Sequence, residues 1–193
     1  MSGRTFIGIA VAGFATFMWG FIFWGATTVP YDAWKSVPND AQVQSELASM
    51  FPTSGYYSIP SVTQNSAQES TALLTSGVWA TVNIDHTPAL PGDLGNMGLG
   101  LAHNILVMFL LALLMKHMHS NRMRTAILAG LAATVFSNLG DVIWWNFPLN
   151  WKLTIMAYDM GFWILGGFVL SYFMKESTAK GVQAKAVQAR PNH

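Results

Sequence analysis

LGNMGLGLAHNILVMFLLALLM, residues 94–115, carries no Asp, Glu, Lys or Arg across 22 consecutive positions. A helix needs roughly 20 predominantly apolar residues to cross a bilayer, so this stretch predicts a membrane span. Three further windows, 5–31, 125–151 and 153–174, read the same way. The four windows together hold only two of the chain's nineteen formal charges, Asp141 and Asp159. Apolar residues make up 52% of the chain and charged ones 10%, where a soluble domain carries about 25% charged residues. Disorder is excluded and a soluble globular domain disfavoured.

The sequence therefore predicts an all-α membrane protein, a four-transmembrane-helix bundle with a small outer α+β subdomain in the first loop. Residues 1–29 form a cytoplasmic N-terminus and the first helix, whose apolar run is too long for a secretory signal and contains Trp19 and Trp24. Residues 30–93 form the outer loop subdomain and residues 94–174 helices two to four. Residues 175–193, rich in Ala, Gln and Lys with no apolar face, form a tail expected to be disordered.

Arg4, Lys116, Arg122, Arg124, Lys175, Lys180, Lys185 and Arg190 fall on one side of this topology, and only Lys35 and Lys152 on the other. Under the positive-inside rule both termini are cytoplasmic. The first loop, with six acids against Lys35, then faces outward. Trp34, Trp144, Trp145 and Trp151 fall near the outer boundary and suit an interfacial aromatic belt. Within the loop, Asn39 begins a helix with Val43, Leu47 and Met50 on one face, ended by Pro52. Gly77–Ile84 reads as a strand paired antiparallel with Gly55–Ile59, and the polar run 61–70 connects them.

Zero cysteines exclude disulfides, thiolate metal sites and thiol redox chemistry. A net charge of +1 with no basic patch argues against nucleic acid as a partner. No nucleophile elbow, phosphate loop or HExxH pattern occurs, so no catalytic residue is assigned, no cofactor is expected and enzymatic activity is disfavoured.

Ionisable residues inside a span are costly and need partners. His103, Asp141 and Asp159 fall at similar depth, roughly 7–13 Å below the outer helix ends at 1.5 Å per residue, and Asn104 and Asn138 add amides at that level. The five residues form the candidate polar layer. Ala126, Gly130, Thr134, Asn138 and Asp141 recur at helical spacing and predict a close-packing face of helix three. Asp159, Trp163, Gly166 and Gly167 repeat the pattern on helix four. Gly8, Gly13, Gly20 and Gly25 mark close approaches on helix one.

Several stretches, namely Phe17-Met18-Trp19-Gly20-Phe21-Ile22-Phe23-Trp24, Ser54-Gly55-Tyr56-Tyr57, Trp144-Trp145-Asn146-Phe147-Pro148 and Asp159-Met160-Gly161-Phe162-Trp163, resemble those of a group of small bacterial inner-membrane proteins with four helices. The resemblance implies a bacterial inner membrane and no activity. The topology is also similar to that of claudin-like proteins, without their loop cysteines. Two functions compete: a non-catalytic accessory or assembly subunit of a larger membrane complex, and an autonomous module binding or transporting a small ligand, proton or metal at the His103, Asp141 and Asp159 layer. The expected partners are the lipid bilayer and either such a complex or further copies of the chain.

Overall fold

A computed structural model describes residues 1–61, 63–87, 92–118 and 121–175. It divides into two compact units, one built from the residues up to Trp34 and from Leu94 onward, the other from Lys35–Asp93. The tail expected to be disordered lies, beyond Lys175, outside the described residues.

The first unit holds α1 (Gly3–Gly25), a 3-10 turn (Tyr31–Ala33), α4 (Leu94–Lys116), α5 (Arg122–Trp145) and α6 (Leu149–Phe173). The four α-helices contain 23, 23, 24 and 25 residues, roughly 35–38 Å each, and the hydrocarbon layer of a bilayer is about 30 Å thick. All four are long and apolar enough to cross a membrane. The first helix starts a few residues earlier than the apolar run suggests because Ser2 caps it, its hydroxyl accepting from the Thr5 backbone N–H at 3.3 Å. It also stops earlier, with Ala26 as C-cap and the chain turning through Pro30 into the 3-10 turn.

Antiparallel α1 and α6 form the centre of this unit, with α4 against α1 and α5 against α6. Consecutive in sequence, α4 and α5 nevertheless touch little. Small residues set the approach distances. A Cβ on Gly13 would stand 2.9 Å from the Ile105 Cα, a backbone atom that cannot turn aside. Gly130 lies against the Trp163 ring and Gly167 against Ala126, so the small-residue face of helix three meets Trp163 and Gly167 of helix four, whereas Gly166 turns to Met108 and Thr16. Ala126, Gly130, Thr134 and Asn138 are all buried there. On helix one Gly8 lies against Phe173 and Gly20 near the Tyr158 hydroxyl, whereas Gly25 meets only Phe21 of its own helix. Ile9, Ala12, Met108, Leu111, Met115 and Leu170 anchor the buried core.

The second unit contains α2 (Asp40–Met50), β1 (Gly55–Ile59), α3 (Ala67–Ser76) and β2 (Ala80–Ile84). Asn39 caps α2, its side chain accepting from the Gln42 N–H at 3.2 Å. The strands pair antiparallel with Gly55 opposite Ile84 and Ile59 opposite Ala80. One element departs from the sequence reading. The run taken as a polar connection turns into helix α3 at Ala67, and Gly77, read as the start of a strand, is its C-cap. The physical reason is a capping box: the Glu69 N–H donates to the Ser66 hydroxyl, while the Ser66 N–H donates to the Glu69 carboxylate at 2.9 Å. Those bonds hold the Glu69 carboxyl below its ordinary pKa, the Ser66 backbone N–H being the larger cause. Asp85, accepting from the Thr87 N–H at 2.9 Å, is lowered in the same way. Phe51 packs its ring 4.6 Å from that of Tyr57, and the His86 Nε2 lies 2.7 Å from the Phe51 carbonyl.

Candidate functional site

The candidate polar layer divides into two. On α5, Asn138 is 2% exposed. Its amide donates to the Thr134 carbonyl at 3.0 Å and to the Asp159 carboxylate on α6 at 2.9 Å. A bond to an ionised acceptor in surroundings of low polarity is among the stronger hydrogen bonds a side chain makes. Nearer the turn, the Asp141 carboxylate accepts from the Lys152 ammonium at 2.5 Å, and the two side chains are 34% and 12% exposed. Lys152 also stands 4.6 Å from the centre of the Phe147 ring. Each carboxylate on this seam is thus held by a named donor on the facing helix.

His103 does not join them. It lies on the exposed side of α4, opposite buried Met108, Leu111, Ala112 and Met115. Its Nδ1 is 3.3 Å from the side-chain oxygen of Asn104. Among the described residues, no group of three or more His, Cys, Asp or Glu side chains is placed to hold one metal ion. The layer therefore consists of Asn138 with Asp159 and Asp141 with Lys152. His103 and Asn104 form a separate pair.

Lys152 entered the sequence reading only as a charge at the outer boundary. The signal that identifies its partner is symmetry about the turn. The pairs Asp141 and Lys152, Gly130 and Trp163, and Ala126 and Gly167 are each equidistant from the midpoint between Asn146 and Phe147. Asn146 adopts the left-handed conformation there, with φ 52°, and Pro148 precedes the first turn of α6. That tight αα connection leaves the register of the two helices little freedom.

Beside this seam lies an aromatic cluster. The ring of Trp24 is 6.0 Å from that of Trp151 and 5.6 Å from that of Tyr158. Trp34 approaches Trp151 at 5.6 Å. The Trp19 indole N–H donates to the Tyr158 carbonyl at 3.0 Å and its ring lies against Gly161. Trp34 and Trp151, read from sequence as belt residues, thus make ring contacts in this cluster, although Trp34 stays exposed, as do Trp144 and Trp145. Most of the cluster's ring pairs are edge-to-face, the geometry favoured by the aromatic quadrupole.

At the opposite end of the helices, Arg4 donates to the Tyr172 carbonyl at 3.3 Å and Arg122 donates to the Met174 carbonyl. These carbonyls close α6, where a helix has unsatisfied acceptors and the negative end of its dipole. The starts of α1 and α5 supply the two cations that satisfy it.

No known family, no curated protein and no solved structure matches this chain.

Proposed function

We propose that the chain is a multi-pass protein of a bacterial inner membrane, with both termini cytoplasmic, acting as a non-catalytic accessory or assembly subunit of a larger membrane complex. The observation carrying this reading is how the apolar and polar surfaces are distributed on the four long helices. Phe6, Phe14, Leu99, Phe136 and Phe168 are all exposed, far more apolar surface than a water-soluble protein presents, while the two carboxylates between α5 and α6 each accept from a donor on the facing helix. Apolar side chains outward and paired carboxylates inward is the arrangement a bilayer favours. Arg4 and Arg122 gather at one end of the unit and the Trp24, Trp34 and Trp151 cluster at the other, which supports the orientation drawn from the Lys and Arg distribution.

The seam supports a structural role. Asp141 and Asp159 each commit a carboxylate oxygen to a donor on the facing helix, which ties α5 to α6. The competing module built on His103, Asp141 and Asp159 lacks its histidine at that seam, because His103 faces away from the packed core of α4.

Two measurements test the reading. Reporter fusions at residue 60 and after residue 193 should report opposite compartments, and a shared compartment refutes the topology. Native mass spectrometry of gently solubilised protein should show a stoichiometric protein partner. A monomer that retains a metal ion or small molecule refutes the accessory role.

A further inference from the structure

Leu99, His103, Leu106, Leu110 and Leu113 lie along the exposed side of α4. Their spacings of four, three, four and three residues make them a heptad seam with Leu99, Leu106 and Leu113 at d and His103 and Leu110 at a. Leu99, Leu106 and Leu110 are more than half exposed. The opposite side of the helix carries Met108, Leu111, Ala112 and Met115, buried against the rest of the unit. Among the described residues this seam stays exposed along its length. His103 sits within it, roughly 14 Å from the start of α4 at 1.5 Å per residue.

We propose that this face of α4 is a homodimer interface, in which two copies pack α4 against α4 in parallel about a twofold axis along the bilayer normal. The proposal rests on the membrane reading above. A single polar residue at a, among leucines at d, is a device that fixes the register of paired helices. A polar side chain on a face otherwise apolar needs a hydrogen-bonding counterpart at its own depth, since hydrocarbon offers none. A twofold axis along the normal supplies it without further design: every residue meets its own copy at the same depth, so the imidazole of one copy meets the His103 and Asn104 pair of the other. Between transmembrane helices, where apolar burial gives no net drive, such a polar contact and close packing supply the association.

The chain has no cysteine, so single substitutions give unambiguous cross-links. Leu99→Cys and Leu106→Cys on α4, with Phe136→Cys on α5 and Phe168→Cys on α6 as controls that are also more than half exposed, are made in the full chain and oxidised with copper-phenanthroline in native membrane vesicles. The two α4 variants should form disulfide-linked dimers and the controls should not. In the Leu106→Cys background, His103→Leu should reduce cross-linking about three- to tenfold, and His103→Asn, which restores a hydrogen-bonding side chain, should recover most of it. Equal cross-linking at all four sites, none on α4, or an adduct with a different protein at Leu106 overturns the homodimer. An unchanged yield in His103→Leu overturns the role of the histidine. Alkaline carbonate extraction of the same vesicles keeps the two readings apart: release of the chain refutes membrane insertion, whereas a retained chain without dimers refutes the seam alone.

Discussion

The bond between Asn138 and Asp159 is the sharpest place to test the polar seam, through a double-mutant cycle of Asn138→Ala, Asp159→Ala and the pair. Asn138 is buried and donates to both a backbone carbonyl and the carboxylate. Removing it deletes packed side-chain volume and leaves Asp159 without that donor, about 2–4 kcal/mol in sum from a lost bond to a charged group and a small cavity. Asp159→Ala deletes a half-buried carboxylate and frees the Asn138 amide, which keeps its bond to the Thr134 carbonyl, so a smaller loss of about 1–2 kcal/mol is expected. Once either partner is gone the other contributes less. The double variant should therefore be more stable than the two losses predict, by at least about 0.6 kcal/mol, the average for side-chain hydrogen bonds between membrane helices, and up to about 1.7 kcal/mol, their maximum. Reversible unfolding in mixed micelles, followed by tryptophan fluorescence, gives all four corners of the cycle. Losses that add to within about 0.3–0.5 kcal/mol would refute a stabilising bond.

Three further outcomes follow from single contacts. Gly13→Val drives a side chain into the Ile105 backbone and should separate α1 from α4, costing about 3 kcal/mol or more by the same unfolding measurement. Lys152→Met leaves the partly exposed Asp141 carboxylate unpaired and should cost about 1 kcal/mol, with Lys152→Met combined with Asp141→Asn recovering part of it; a larger loss in the double variant would contradict the pairing. The capping box makes α3 acid-sensitive in a known direction: since the Glu69 carboxyl is lowered in the folded state, its contribution is present above the ordinary value of 4.5 and disappears as the pH falls below it. Protection factors of the amides across 67–76, taken against their intrinsic exchange rates at each pH, should fall there in the wild type, and a Glu69→Gln chain should lack that step.

How much could be read before the fold was known differs sharply between faces of the same helices. The seam of α5 and α6 was legible because Gly, Ala, Thr, Asn and Asp at helical spacing stand out against apolar neighbours. The outward turn of His103 was not. On α4 the buried Met108, Leu111 and Met115 are chemically like the exposed Leu99, Leu106 and Leu110, and a helix apolar all round offers no contrast from which to read an inner face. Depth was therefore readable on α4 and direction was not. In the Lys35–Asp93 unit the strands announced themselves by alternation, but α3 has only Ser66 and Glu69 as a start signal and a largely polar body. A capping box followed by so little apolar periodicity is easily taken for loop.

The two arginines at the end of α6 set a timetable for assembly. Arg4 is synthesised 168 residues before Tyr172, whose carbonyl it holds. At about 5–20 residues per second, on the order of ten to thirty seconds separate the making of donor and acceptor. During that interval α1 can dock on α4 through Gly13 and Ile105, but the grooves at Gly8 and around Trp19 await side chains not yet made. A chain stalled after residue 118 accordingly has the α6-facing side of its first helix uncovered. The last helix, arriving with its own hairpin partner already aligned by the Asn146 turn, closes the unit at both ends in one step.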